Sequence, residues 1–318
     1  MSVAIPRENP PHAPEGGWSR RLLGPLHVTG VFWFRIHRFA VTILPLWALR
    51  VVLTVFTGFF WIALRKIRAA IAANLEAVLG PCGWWERQRR IHRTFRTFAW
   101  CLSERYERLS TDRVFTVEAE GPEEWRDPAG KPGGFILVTA HMGAWEVGSM
   151  IPSSRDGRRV HVVREPETDP RAQQFIEGLI RNCGGELYTT HFADEPQLGM
   201  DLLDALRRGE VVALQGDRPR AGGRTLEASL FGRPFALPVG PAALARAADV
   251  PIVPVFVLRE GRLRYRCLLR PAIRVAQSED RQRDLREALA RFTADLEAAI
   301  RREPYQWFCF RRLWPGEQ

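Results

Sequence analysis

From residue 114 to residue 300, short apolar runs alternate with amphipathic stretches, and this alternation leaves few folds open to the chain. Strands that alternate with helices build βαβ units around a parallel sheet. The predicted strands are Val114–Glu118, Phe135–Thr139, Val160–Val163, Glu186–Thr190, Val211–Gln215, Ile252–Leu258 and Leu263–Leu269. The predicted helices are Pro170–Asn182, Pro196–Arg208 and Arg283–Ile300. We therefore expect an α/β fold with a mainly parallel sheet flanked by helices.

The N-terminal quarter has a different character. Residues 1–17 contain four prolines and little apolar content, which predicts a disordered leader without the apolar core of a signal peptide. Residues 18–80 are predicted to form a membrane-associated helical region, and residues 81–318 the main domain, beginning with an amphipathic helix at Trp84–Leu109.

Within the helical region, Arg50 is the one charged residue of the stretch Phe39–Leu64. This stretch is long enough to cross a bilayer. Pro45 and Arg50 equally fit a bent helix that lies in the membrane interface, with the arginine reaching the lipid head groups. A buried helix of a soluble core is the third interpretation.

The charge balance favours acidic partners. The chain has 46 basic and 36 acidic residues, a net charge of +10, which suits anionic lipids, an acidic carrier protein, phosphorylated substrates or nucleic acid. Because the arginines are spread along the chain and no recognition motif is present, nucleic acid is disfavoured. The five cysteines are scattered without paired spacing, so we expect neither a zinc ribbon nor a disulfide framework. His161 and His191 have no ligand spacing either, so we expect no metal site.

His141 is the first candidate catalytic residue. It follows the apolar run Phe135–Thr139, and Glu146 follows five residues later. With seven histidines and 36 acidic residues, this spacing is expected about once by chance, so the position is more informative than the spacing. A neutral imidazole at the end of a strand lies where α/β sheets commonly build their sites. A turn between the two residues would let the carboxylate reach back to the imidazole. An imidazole oriented by a carboxylate is the smallest set of groups that can act as a general base on a hydroxyl.

The segment His141-Met-Gly-Ala-Trp-Glu146 resembles the signature of the lysophospholipid acyltransferase superfamily, and most closely the late acyltransferases of bacterial lipid A biosynthesis. Further segments resemble this branch in order and spacing, across roughly residues 25 to 315. They are Val162 to Pro166 with Arg181 to Gly184, Leu206 to Arg218, Phe231 to Ala245, Val250 to Pro254, and Glu303 to Trp307 with Arg311 and Arg312. Leu230-Phe231-Gly232 departs mildly from the third block of the family pattern.

The resemblance implies roles for individual residues. His141 would be the general base, and Glu146 would hold the imidazole and stabilise its protonated form. Five further candidates would contact or shape the substrate site. Arg164 would contact a phosphate or an oxyanion, with a surface salt bridge as the alternative. Asp217 and Arg218 would shape the acceptor site, unless they simply pair with each other. The backbone at Gly232 and Gly240 would shape the acyl site.

The function implied is acyl transfer, without a cofactor or metal, from an acyl carrier protein or CoA thioester to a hydroxyl or amine of a lipid A-like acceptor. The enzyme would lie at the cytoplasmic face of the inner membrane, with the membrane lipid and the donor as partners. A lipid-binding protein without catalysis, or an acyl ester hydrolase in which the histidine activates water, are the alternatives. The sequence contains no G-x-S-x-G, P-loop, G-x-G-x-x-G or H-E-x-x-H motif.

Overall fold

The structure is a computed structural model, and it describes residues 31–111, 113–123, 133–145, 157–166, 169–182, 187–220 and 222–314. The predicted leader, residues 1–17, lies outside the described residues, and the predicted domain boundaries stay a prediction. The helices are α1 (Val31–Ile43), α2 (Leu46–Ala63), α3 (Arg65–Leu79), α4 (Trp84–Ser110), α5 (Pro170–Asn182), α6 (Leu198–Arg207), α7 (Gly240–Ala248) and α8 (Arg281–Arg302). The strands are β1 (Thr116–Glu120), β2 (Phe135–Thr139), β3 (Val160–Arg164), β4 (Tyr188–Phe192), β5 (Val211–Gln215), β6 (Thr225–Leu230), β7 (Arg233–Pro238), β8 (Ile252–Gly261) and β9 (Arg264–Leu269).

The apolar stretch Phe39–Leu64 forms two helices, because α1 ends before Pro45 and α2 begins after it. Proline cannot donate a backbone hydrogen bond, so a helix readily restarts there. In the described part of the chain, α2 is the one helix long and apolar enough to cross a membrane, and only 17% of it is buried. The break agrees with the bent-helix interpretation, although it does not decide whether α2 crosses a membrane or lies on one.

Helix α4 connects the N-terminal helices to the rest of the molecule. Its apolar residues Tyr106 and Leu109 pack with Val41 of α1 and with Leu49 and Leu53 of α2 in one buried cluster. Helix α3 packs on α4 through a second cluster of apolar residues, Ile71, Leu75, Ile91 and Phe95. The amphipathic pattern of α4 therefore buries one face against three helices, as its periodicity predicts.

Seven strands form the central sheet in the order β1-β9-β8-β2-β5-β3-β4. All neighbouring strands are parallel except β8 and β9, which form an antiparallel pair. Alternate residues of β2 enter different clusters: Ile136 and Val138 pack with α8, and Phe135 and Leu137 pack on the opposite face. The predicted α/β class with a mainly parallel sheet is confirmed.

Several boundaries differ from those predicted. The predicted bounds of β2 and β5 match the structure, but β1 and β4 begin two residues later than expected, at Thr116 and Tyr188. Pairing to a neighbour sets these limits, since Thr116 is opposite Arg264 and Tyr188 is opposite Val160. Composition alone does not show where a partner strand begins.

The antiparallel hairpin β6–β7 was not predicted. Phe231 and Gly232 form its turn, with φ angles of 54° and 73°, the left-handed values that a two-residue hairpin turn requires. Helix α7 follows the hairpin, and α8 packs against both the hairpin and α7. Together these elements cover one face of the sheet beside the end of β5.

Candidate active site

The carboxyl ends of three adjacent strands bring four of the predicted site residues to the same edge of the sheet. His141 follows β2, Asp217 and Arg218 follow β5, and Arg164 is the last residue of β3. Strand β5 lies between β2 and β3, with Thr139 opposite Gln215. The amide of Gly216 continues this pairing by donating to the carbonyl of Thr139 at 2.8 Å. This is the edge where α/β sheets commonly bind ligands.

The closest contact at this edge joins His141 to Asp217. The distance from His141 Nδ1 to Asp217 Oδ1 is 2.7 Å. The Asp217 side chain is 1% exposed and the His141 side chain 19% exposed, so the carboxylate lies behind the imidazole and the ring is reached from solvent. The sequence predicts Asp217 as a residue of the acceptor site, and the structure places it as the partner of the histidine.

Asp217 is held in its ionised form. Burial by itself would raise its pKa, but the charge and hydrogen bond of His141, together with the charge of Arg218, outweigh burial and lower the pKa from 3.8 to about 2. An ionised carboxylate only accepts hydrogen bonds, so His141 Nδ1 carries the proton. In the neutral imidazole, Nε2 is then unprotonated and available as a base.

Arg218 lies against the same imidazole. Its Nε is 3.1 Å from His141 Nδ1. Both nitrogens carry protons when Asp217 accepts from Nδ1, so Arg218 does not donate to the ring. The nearby positive charge instead helps to keep Asp217 ionised.

The backbone around His141 is fixed by the segment that follows α8. The amide of Phe308 donates to the carbonyl of His141 at 2.8 Å, and the amide of Gly143 donates to the carbonyl of Gln306 at 2.9 Å. Gly143 has a φ of 56°, and a Cβ added there would lie 2.0 Å from the carbonyl oxygen of Val257. Only glycine fits this close approach to the backbone of Val257.

Gln306 is a positioning residue that was not identified from the sequence, although the segment around it was singled out. Its side chain is buried and pairs with the backbone of Arg259 in both directions, at 2.8 Å each. It therefore ties the end of β8 to the turn that carries His141. A buried amide in a segment that returns to the sheet is a signal for such a role, but its partner is visible only in the structure.

Next to the dyad lies a cavity of about 540 Å³. Its polar lining consists mainly of arginines and the start of α7, including Arg218, Arg220, Arg224, Gly240 and Arg281. None of the lining residues that the structure describes is acidic. Leu226 and Leu285 add apolar surface. A cavity of this composition suits a ligand that combines an anionic group with an apolar part.

The other predicted residues have distinct positions. Gly240 is the first residue of α7 and lines this cavity, whereas Gly232 lies in the β6–β7 turn and is not among its lining residues. Arg164 is half-buried on the same edge of the sheet, one strand beyond β5. Glu146 lies outside the described residues, so its predicted role stays a prediction.

Two other histidines form a separate group. His161 Nδ1 is 2.9 Å from His191 Nε2, and His161 Nε2 is 2.8 Å from Glu210. Neither histidine contacts His141 in the described ranges. Ligand atoms of His191, Glu195 and Asp201 lie within 4.8 Å of one another, but both ring nitrogens of His191 already face protein groups, His161 and Glu195. The expectation that the chain has no metal site stays a prediction.

Comparison with known proteins identifies the family. The sequence model of one family, the bacterial lipid A biosynthesis acyltransferases, matches residues 21–315. This chain belongs to that family. The description of that family, acyltransferases of bacterial lipid A biosynthesis, agrees with the resemblance that the sequence motifs carry.

The relatives cover less of the chain. Phosphatidylinositol mannoside acyltransferases from two strains of Mycobacterium tuberculosis are 30% identical over 131 residues, which is 41% of this chain and 40% of those proteins. This chain therefore matches less than half the length of these relatives. The crystal structure of the 1-acyl-sn-glycerophosphate acyltransferase PlsC from Thermotoga maritima superposes with a TM-score of 0.35 at 15% identity, covering 78% of this chain and 96% of PlsC.

Proposed function

We propose that the enzyme transfers a fatty acyl group from a thioester donor to a hydroxyl or amine of a glycolipid acceptor, with His141 as the general base. The observation that supports this most is the His141–Asp217 pair, in which a buried carboxylate 2.7 Å from Nδ1 leaves Nε2 as the ring nitrogen that can act as a base. The family name and the names of the relatives support a glycolipid of the lipid A or phosphatidylinositol mannoside kind as acceptor.

In the proposed reaction, Nε2 of His141 takes the proton of the acceptor hydroxyl as its oxygen attacks the thioester carbonyl carbon. A carbon–oxygen bond forms, and the carbon–sulfur bond breaks as the tetrahedral intermediate collapses. The imidazolium returns its proton to the departing thiolate, so no acyl-enzyme is needed. Asp217 stabilises the imidazolium between these two steps.

The donor would be an acyl carrier protein or CoA thioester, acting without another cofactor. A net charge of +10 supports an acidic donor. The arginine-lined cavity beside His141 supports a phosphorylated substrate, since guanidinium groups bind phosphate in a bidentate manner. Both donors carry a phosphate on the pantetheine arm.

The proposed location is the cytoplasmic face of the inner membrane. The apolar residues that α2 exposes support this, because a lipid surface would remove them from water. An acceptor with long acyl chains could then reach the site without leaving the bilayer.

The decisive experiment uses the full chain purified in detergent, a long-chain acyl thioester and a glycolipid acceptor. We expect thiol release and an acceptor that gains one acyl chain by mass spectrometry, both lost in His141→Ala. Acyl transfer by His141→Ala near the parental rate would contradict the proposed mechanism. Thiol release with free fatty acid as the only product would instead indicate a hydrolase, and neither product would indicate a lipid-binding protein.

A further inference from the structure

A second cluster of arginines lines a cavity away from the dyad. This cavity, of about 340 Å³, lies among α2, α4 and the β8–β9 hairpin. Its lining residues are Arg50, Arg96, Thr97, Trp100, Arg259 and Arg262. Four of these six residues are arginines and none is acidic. We call it the Arg50 cavity.

Two of the arginines are already paired with buried carboxylates. Arg259 donates to both oxygens of Glu104, at 3.0 and 2.9 Å, and Arg262 donates to Glu107 at 2.5 Å. Both glutamates are buried on α4. These pairs fix the inner wall of the cavity and balance its charge there.

The other two arginines leave positive charge at the mouth of the cavity. Arg50 and Arg96 are exposed and form no ion pair with any residue that the structure describes. Like charges that approach one another raise the affinity for an anion, especially one that several guanidinium groups can reach. The cavity therefore has an excess of positive charge and fixed hydrogen-bond donors.

Arg50 also lies beside an exposed apolar strip. Residues spaced by four or three along α2 fall on one side of a helix. On α2 these are Trp47, Val51, Val55, Phe59 and Ile62, each of them more than half exposed. Arg50 follows Trp47 by three residues, so the two side chains are neighbours on the helix surface and the guanidinium cluster borders the apolar strip.

We propose that the Arg50 cavity binds the phosphate of an anionic phospholipid whose acyl chains lie along the apolar strip of α2. A phospholipid combines these two chemistries in one molecule, an anionic phosphate next to long apolar chains. Trp100 adds an aromatic ring in the cavity, 5.2 Å from the guanidinium carbon of Arg259, and tryptophan is enriched at the level of lipid head groups. The Arg50 cavity shares no lining residue with the cavity next to the dyad, so this site is separate from the proposed substrate site.

The test measures binding of dihexanoyl phosphatidylglycerol, below its critical micelle concentration, to the full chain in nonionic detergent. We expect saturable binding, weakened about 30-fold in Arg50→Gln with Arg96→Gln, because each basic residue at a lipid surface contributes about fivefold. The matched control is Arg286→Gln with Arg291→Gln, which removes the same charge from exposed positions on α8. Thermal unfolding verifies that all variants remain folded.

Each alternative outcome overturns the proposal in its own way. Equal weakening in both double variants would show only a general charge effect. Equally tight binding of inorganic phosphate would show a phosphate site without a lipid role, and equally tight dihexanoyl phosphatidylcholine would show no preference for an anionic lipid. Absence of saturable binding by the parent would show that the cavity does not bind an anionic phospholipid. None of these outcomes bears on acyl transfer, which His141→Ala tests separately.

Discussion

At the level of single residues, the central feature is a carboxylate that determines which nitrogen of His141 can act as a base. Asp217 is buried, ionised and 2.7 Å from Nδ1. The sequence assigns this orienting role to Glu146, five residues after the histidine. The structure brings a carboxylate to the same ring from another strand, and the two assignments are separable by experiment.

We expect Asp217→Asn to lower kcat by about 10²- to 10⁴-fold, the range attributed to a general base. An asparagine amide can donate to Nδ1, which moves the ring proton to Nε2 and removes the base. Steady-state kinetics with the acyl thioester measures the effect, and Glu146→Gln is the matched control. A large loss in Glu146→Gln with near-parental activity in Asp217→Asn would reverse the assignment.

The same carboxylate makes stability depend on acid pH. The pKa of Asp217 is about 2 in the folded chain and 3.8 as its ordinary value. Its contribution is therefore fully present above about pH 4 and is lost as pH falls through 2, because the unfolded chain binds the proton first. A shift of this size corresponds to about 2 kcal/mol. We expect the difference in unfolding free energy between the parent and Asp217→Asn to shrink by about this amount between about pH 5 and pH 2 in denaturant titrations. A difference that does not change with pH would contradict the assigned pKa.

At the level of elements, α4 is attached to the sheet by buried charge as well as by apolar packing. Glu104, with no exposed surface, accepts hydrogen bonds from Arg259 and from the hydroxyl of Tyr265. Glu107, one turn later, accepts from Arg262 and Arg113. Burial and the neighbouring Glu104 raise the pKa of Tyr265, so its hydroxyl stays protonated and donates. This network fixes α4, and with it the helices α1 to α3, against the β8–β9 hairpin.

We expect Glu104→Gln to lower the unfolding free energy by about 3 to 5 kcal/mol, because it leaves the Arg259 guanidinium partly buried without its counter-charge. Glu86→Gln on the same helix is the control, since Glu86 is partly exposed and pairs with the exposed Arg89 and with Arg90, and ion pairs that water reaches contribute far less than buried ones. Urea unfolding monitored by circular dichroism measures both. Equal losses in the two variants would show that burial of the Glu104 pair has no special effect.

At the level of the whole molecule, the fold places two arginine-lined cavities in different surroundings. The cavity next to His141 is built from the end of β5, the β6–β7 hairpin, α7 and α8. The Arg50 cavity borders the exposed helix α2. Arginines that are far apart in the sequence are thus brought together in two places, the proposed substrate site and the proposed lipid site.

We expect Arg224→Gln and Arg281→Gln each to raise the KM of the phosphorylated substrate by roughly tenfold or more, the effect of losing a charged hydrogen bond of about 1.5 kcal/mol, with little change in kcat. Varying the donor and the acceptor separately shows which of them the cavity receives. Arg286→Gln, exposed on α8 and outside the cavity, is the control. Unchanged KM values for both substrates would remove the cavity from the substrate site.

The sequence by itself determined the class of fold and the position of His141, the proposed base. Strands β2 and β5 and the helix Pro170–Asn182 follow from local apolar periodicity, and His141 at the end of β2 follows from the same pattern. The sequence also located the residues Gly216 to Arg218 after β5, but it could not show which strand lies beside β2. Strand order depends on packing between segments far apart in the chain, which no local pattern encodes.

Only the tertiary structure decided which residues meet. It paired Asp217 with His141 across 76 residues, and Gln306 with the backbone of Arg259 across 47 residues. It also formed the β6–β7 hairpin, whose turn residues gave no recognised hairpin signal. The side chains of Asp217 and Gln306 are buried, so their polar groups require hydrogen-bond partners, and only the complete fold provides them.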